Sequence, residues 1–94
     1  EQLAAEWFYE AAIQGNAVAQ GNLARCFEHG IGLQKDEQSA FEWYQEAAKQ
    51  GYVDAQNNLA YCYQQGIGVE KNQKLAIDWY RLAANQDNAA ALFN

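Results

Sequence analysis

Trp43-Tyr44-Gln45-Glu46-Ala47-Ala48-Lys49-Gln50-Gly51 is one of three related stretches in this chain. The first is Trp7-Phe8 followed by Ala11-Ala12-Ile13-Gln14-Gly15, and the last is Trp79-Tyr80 followed by Ala83-Ala84-Asn85-Gln86-Asp87. The tryptophans stand 36 positions apart (43 − 7 and 79 − 43). A fixed period of this size signals a repeat architecture, in which each unit is one supersecondary element that buries its apolar face only against its neighbours.

Around each copy the apolar residues recur at helical steps of three and four. Residues 1–14 read as a helix carrying Leu3, Ala4, Trp7, Phe8, Ala11 and Ala12, followed by Gly15 in the position of a left-handed residue past a helix end. Residues 17–29 carry Ala19, Leu23, Ala24 and Phe27 on one face, and Gly30-Ile31-Gly32 ends that helix. Asp36 stands where a side-chain acceptor is needed for the free N–H groups of the next helix. Residues 37–50 follow, with Ala40, Phe41, Trp43, Tyr44, Ala47 and Ala48 apolar.

The plan repeats through helix 53–65, the turn Gly66-Ile67-Gly68, the cap Asn72 and helix 73–86. Asp87 replaces the closing glycine, and residues 89–94 are expected to start a further helix of the first type. Compared without gaps, 15–50 and 51–86 share 17 of 36 positions. The shared residues are mainly small, aromatic or glycine, the packing and turn positions of stacked units with a common core. The expected organisation is one repeat domain over 1–94. It comprises the second helix of a partial unit (1–14), two complete units (15–50 and 51–86) and the start of a truncated one (87–94).

These residues resemble the Sel1-like repeat family, relatives of the tetratricopeptide repeat. The family pattern, roughly A-x-x-x-L-G-x-x-Y-x-x-G-x-G-V, then D, then K-A-x-x-W-Y-x-K-A-A-x-x-G, is similar to Ala19…Leu23-Ala24…Phe27…Gly30-Ile31-Gly32-Leu33…Asp36…Ala40…Trp43-Tyr44…Ala47-Ala48…Gly51. It recurs as Ala55…Leu59-Ala60…Tyr63…Gly66-Ile67-Gly68-Val69…Asn72…Ala76…Trp79-Tyr80…Ala83-Ala84. Ala24 and Ala60 depart from the usual glycine, and Ser39 and Leu75 from the usual lysine. The resemblance implies an all-α fold, a right-handed α-solenoid of antiparallel helix pairs whose first helices line the concave side. It also implies an adaptor that holds other proteins.

Composition narrows the function further. The chain has 94 residues and a formal charge of −6, from twelve acidic and six basic residues. Nucleic-acid binding needs a basic footprint to displace counterions, so that class is set aside. No apolar run approaches the roughly 20 residues of a membrane span. The chain begins at Glu1 and contains no methionine, and is read as a piece of a longer protein whose targeting signals lie elsewhere.

Candidate chemistry is sparse. Cys26 and Cys62 occupy the same place in successive units, on equivalent helices about 8–10 Å or more apart, beyond the roughly 7 Å between Cα atoms that a disulfide allows. They are expected to be separate buried thiols, which is compatible with a cytoplasmic protein. His29 with Cys26 supplies too few ligands for structural zinc, so no metal and no cofactor are expected. The Gly-x-Gly pairs follow no strand and lack a third glycine, which excludes a dinucleotide fingerprint. Glu6/Glu10 and Glu42/Glu46 read as solvated helix faces. With one histidine, no nucleophile–base pair emerges, and the chain is expected not to be an enzyme.

Subtracting the core from the first-type helices leaves Val18, Gly21, Asn22, Arg25, Glu28 and His29 in one unit and Asp54, Asn57, Asn58, Tyr61, Gln64 and Gln65 in the next, with Phe93 beyond. These match the positions that line the peptide groove of tetratricopeptide relatives. Asn22 and Asn58 can each hold a peptide amide, since asparagine both donates and accepts, and Arg25 and Tyr61 are of types enriched at hot spots. The expected function is therefore a non-enzymatic scaffold binding a protein or peptide partner in that groove. The alternatives are a structural spacer or an end-to-end self-associating segment of a larger repeat protein or, because bacterial relatives have been so labelled, a cell-wall or β-lactam hydrolase-related role.

Overall fold

A computed structural model describes the backbone of residues 2–93 and the side chains of residues 3–86. Among these residues five helices follow one another: α1 (Gln2–Ile13), α2 (Ala17–His29), α3 (Glu37–Lys49), α4 (Val53–Gln65) and α5 (Gln73–Phe93). Each packs mainly on its neighbours in the chain, α2 with α3 and α4 with α5 inside a unit, α1 with α2 and α3 with α4 between units. The result is a flat all-α repeat stack, 38 × 32 × 18 Å along its principal axes.

The helix starts fall where the capping residues place them. Asn16 Oδ1 accepts the Ala19 N–H at 2.9 Å, and Asn72 Oδ1 accepts the Leu75 N–H at 3.1 Å. Asp36 accepts the Ser39 N–H at 3.1 Å and the Ser39 hydroxyl at 2.9 Å, which holds its carboxyl below the usual range. Each cap satisfies a donor that the first helical turn leaves without a partner. The α2 and α4 helices end on Gly30 and Gly66, whose N–H groups return to the carbonyls of Cys26 and Cys62.

Gly68 shows why glycine recurs in the turn. Its φ is +71°, and an added Cβ would overlap the Glu37 carbonyl and meet the Phe41 side chain. The turn of one unit thus lies against the start of the second helix of the unit before it, at a distance no other residue permits.

The core centres on Tyr44, buried with Ala24, Ala40, Ala47, Ala48, Ala55, Leu59 and Cys62. A second cluster holds Ala12, Ala19 and Leu23. The alanines let helix axes approach closely, and the aromatics fill the space left over. Trp43 packs against both clusters and takes the edge of Tyr9 of the preceding unit, with centroids 6.5 Å apart. Trp79 packs against the first cluster. Trp7, the equivalent residue on α1, is 71% exposed.

One expectation is corrected. The last helix does not stop at Asp87; α5 continues to Phe93, and no separate first-type helix begins at 89. The other units turn on Gly15 and Gly51, with φ of +94° and +90°. Asp87 carries a Cβ that makes this conformation costlier by about 1–2 kcal/mol, while Ala89, Ala90 and Ala91 favour helix over any alternative.

Candidate protein-binding site

The two first-type helices present matching stripes. Val18, Asn22, Arg25 and His29 follow one another at steps of four, three and four on α2, and Asp54, Asn58, Tyr61 and Gln65 do so on α4. Each stripe covers about 16 Å of helix at 1.5 Å per residue. Val18, Arg25, His29, Asp54, Asn57, Tyr61 and Gln65 are exposed, and Asn22 and Asn58 are half-buried. The Phe93 side chain lies outside the described residues.

Three further candidates make contacts within the fold. Gly21 is buried beneath the ring of Tyr52, whose Cε2 would stand 3.0 Å from an added Cβ. Glu28 accepts the Tyr44 hydroxyl at 2.8 Å, and Gln64 accepts the Tyr80 hydroxyl at 3.0 Å. Tyr44 and Tyr80 are 36 positions apart, as are Glu28 and Gln64, so both units use one clamp between their two helices. Burial, then the hydrogen bond to Glu28 and its charge, push the Tyr44 phenol well above its ordinary range. His29 Nε2 lies 3.7 Å from the same Glu28 carboxylate.

Tyr52 joins the site unforeseen. It occupies the N-cap of α4 without a side-chain cap bond. Its ring covers Gly21, and its hydroxyl donates to Asp54 at 3.3 Å. Burial and then the Asp54 charge push the Tyr52 phenol above its ordinary range. The signal was available in the sequence: the equivalent residue is Asn16, a good cap, and replacing a cap by a large ring calls for another purpose.

A buried amide ladder was also missed. Gln20 Nε2 donates to the Ala12 carbonyl and Gln56 Nε2 to the Ala48 carbonyl, both at 3.1 Å. These carbonyls belong to helix ends, where intrahelical partners run out. Gln50 Nε2 then donates to Gln20 Oε1 at 2.7 Å, across the first full unit. Gln56 Oε1 and Gln86 Oε1 are buried without a hydrogen-bond partner.

Cys26 and Cys62 are both buried and are not bonded to each other. Burial, followed by the charges of Glu28 and Glu37, pushes the Cys62 thiol up to about 12, which suits an inert core residue rather than a nucleophile. Among the described residues no three of His, Cys, Asp and Glu are grouped to hold a metal ion. No helix among them is long and apolar enough to cross a membrane.

A stack of equivalent helix pairs with a common core and varying outer stripes defines an all-α repeat solenoid. Comparison with known proteins gives it a family: residues 1–16, 17–52 and 53–88 each match the Sel1 repeat, and the chain belongs to that family. A Sel1 repeat protein from Oxalobacter formigenes is 34% identical with a TM-score of 0.88, over 90% of this chain and 65% of that one. The protein c5321, a protective antigen of uropathogenic Escherichia coli with an SLR fold, is 33% identical with a TM-score of 0.86, over 87% of this chain and 18% of that one. Helicobacter pylori cysteine rich protein B is 25% identical with a TM-score of 0.82, over 86% and 61%. The chain thus spans less than two thirds of each of these neighbours. No curated protein matched it. Sel1 repeats commonly act as protein-interaction modules, and Sel1-repeat scaffolds are generally non-enzymatic.

Proposed function

We propose that this chain is a non-enzymatic interaction module that holds an extended peptide or a partner protein along the α2 and α4 stripes. The observation that carries the reading is the contrast between two equivalent helices. Their buried residues coincide except at Gly21, whose equivalent Asn57 is exposed, while Val18, Arg25 and His29 are replaced by Asp54, Tyr61 and Gln65 on the exposed stripe. Asn22 and Asn58 remain the same at its centre, suited to a backbone that both donates and accepts. The test is capture from the host lysate by the native chain and by the Arg25→Ala/Tyr61→Ala variant. A partner lost only by the variant supports the stripe. The same partner held equally by both overturns it. Both residues are exposed, so the variant is expected to keep the native melting temperature.

End-to-end self-association is the second reading, favoured by the apolar ends. Leu3 and Trp7 are exposed at one end, and Ile77 and Leu82 on α5 at the other. Repeat units bury such faces against a neighbouring unit, which a second copy of this chain can supply. Light scattering over a concentration series distinguishes a growing mass from a constant one.

A further inference from the structure

Among the differences between the two interfaces between units, one changes how much of the space is filled. In the second, Phe41 on α3 sets its ring edge-on against Tyr63 of α4, with centroids 5.4 Å apart and planes at 85°. Thirty-six positions earlier, Ala5 stands opposite Phe27. Where Phe41 fills the space, the first interface leaves a cleft of about 300 Å³ lined by Ala5, Tyr9, Phe27 and Leu33, with Glu6 and Glu10 also at its edge. A cavity of roughly 150 Å³ already accepts benzene, so a phenyl ring fits with room for its attachment.

The cleft also carries charge. Glu6 and Glu10 lie one helical turn apart on α1, both exposed. Neither makes an ion pair or hydrogen bond with another described residue. A cation beside the ring would therefore meet two carboxylates that no lysine or arginine of this chain neutralises.

We propose that the cleft between α1 and α2 is a docking site for a phenylalanine side chain presented by a basic peptide. The ring takes the place that Phe41 occupies in the next interface, edge-on to Phe27, and flanking lysine or arginine side chains reach Glu6 and Glu10. Aromatic pairs prefer this edge-to-face geometry, and the carboxylates add charge complementarity that selects against acidic partners. No residue of the α2 and α4 stripes takes part, so this site and the proposed groove stand or fall separately.

The probe is a short peptide, acetyl-Arg-Lys-Phe-Lys-Arg-amide, titrated into the native chain by calorimetry and mapped by amide chemical shifts. Saturable binding is expected, with shifts gathered at Ala5, Tyr9, Phe27 and Leu33, and at least tenfold weaker binding when alanine replaces phenylalanine in the probe. Ala5→Phe supplies the missing ring from within. It is expected to raise the melting temperature and to weaken probe binding at least tenfold. Glu6→Gln/Glu10→Gln is expected to weaken binding several-fold and to flatten its salt dependence. The proposal is overturned by no saturable binding to the native chain, by unchanged affinity in Ala5→Phe, or by shifts that fall on Asn22, Arg25 and Tyr61 instead. Arg25→Ala/Tyr61→Ala is expected to bind the probe as the native chain does, and a loss there would likewise reject the cleft.

Discussion

Removing the hydroxyl of Tyr44 tests whether Glu28 is a structural residue or a groove residue. Tyr44 is 1% exposed, and its hydroxyl donates at 2.8 Å to the Glu28 carboxylate. A hydrogen bond to a charged group is worth about 1.5–3 kcal/mol. Tyr44→Phe keeps the ring and its packing, so the expected loss is about 2 kcal/mol. The second unit supplies an internal control. Tyr80 is 36% exposed, and its hydroxyl donates at 3.0 Å to the neutral amide of Gln64, where water can replace it. Tyr80→Phe is expected to cost no more than about 0.5 kcal/mol.

Urea denaturation followed by helical circular dichroism measures both, and an unchanged slope shows that stability alone has altered. In a thermal scan the first variant should fall by about 8–16 °C, from the usual 4–8 °C per kcal/mol in a domain of this size. Tyr44→Phe combined with Glu28→Gln should cost less than the two singles added, because they remove one interaction. Equal losses for Tyr44→Phe and Tyr80→Phe, or strict additivity with Glu28→Gln, would refute the clamp and return Glu28 to the groove.

Two further expectations follow from the packing and the titration of the core. Gly68→Ala combines a positive φ with a clash against Glu37 and Phe41 and should cost about 3 kcal/mol. Gly15→Ala meets nothing within 4 Å and should cost about 1 kcal/mol; thermal melts rank the two, and equal losses would mean that the turn does not rest on α3. Alkaline pH should destabilise the fold. The Cys62 thiol is raised from 9.0 to about 12 and the Tyr44 phenol is raised too, so the folded state keeps protons that the unfolded chain releases. Stability from Cys62 is then complete below pH 9 and lost as pH rises toward 12. Urea midpoints at pH 8, 9.5 and 10.5 should fall less steeply for Cys62→Val, and an unchanged fall would contradict the burial of that thiol.

The helix starts were legible because the 36-residue spacing repeats them, and at α3 and α5 Asp36 and Asn72 add a capping residue one position before the helix; α4 begins on Tyr52 without such a cap. The small core residues were legible for the same reason, since identity between units marks the positions that stacking constrains. Pairings between side chains on different helices were not. Tyr44 and Glu28 are sixteen positions apart, and whether they touch depends on the rotation of two helices about their axes, which periodicity does not set. Gly21 read as groove because its helix face is right; only the Tyr52 ring, arriving from the next unit, buries it. Gln20 and Gln56 were not singled out, although a glutamine that is identical between units and stands beside an identical core alanine is itself a mark of a buried amide. Asp87 misled because a missing glycine removes a stop signal rather than supplying a substitute.

The case for the stripe rests on subtraction. Positions that differ between stacked units can differ because neighbours compensate or because no neighbour constrains them. Phe41 facing Tyr63 and Ala5 facing Phe27 are of the first kind, since each exchange alters an interface. Glu28 and Gln64 also belong there, held by Tyr44 and Tyr80, and Gly21 lies under Tyr52. What remains is Val18 against Asp54, Arg25 against Tyr61 and His29 against Gln65, all exposed. None of the six is buried, and beyond the Tyr52 hydroxyl on Asp54 and the Glu28 carboxylate near His29 packing places no demand on them, so the fold does not account for a cation, Arg25, in one unit and an aromatic, Tyr61, in the next. Asn22 and Asn58 stay constant between them, half-buried on the same line. Constancy at the centre with variation on either side is the pattern expected of a surface that grips any peptide by its backbone and tells peptides apart by their side chains.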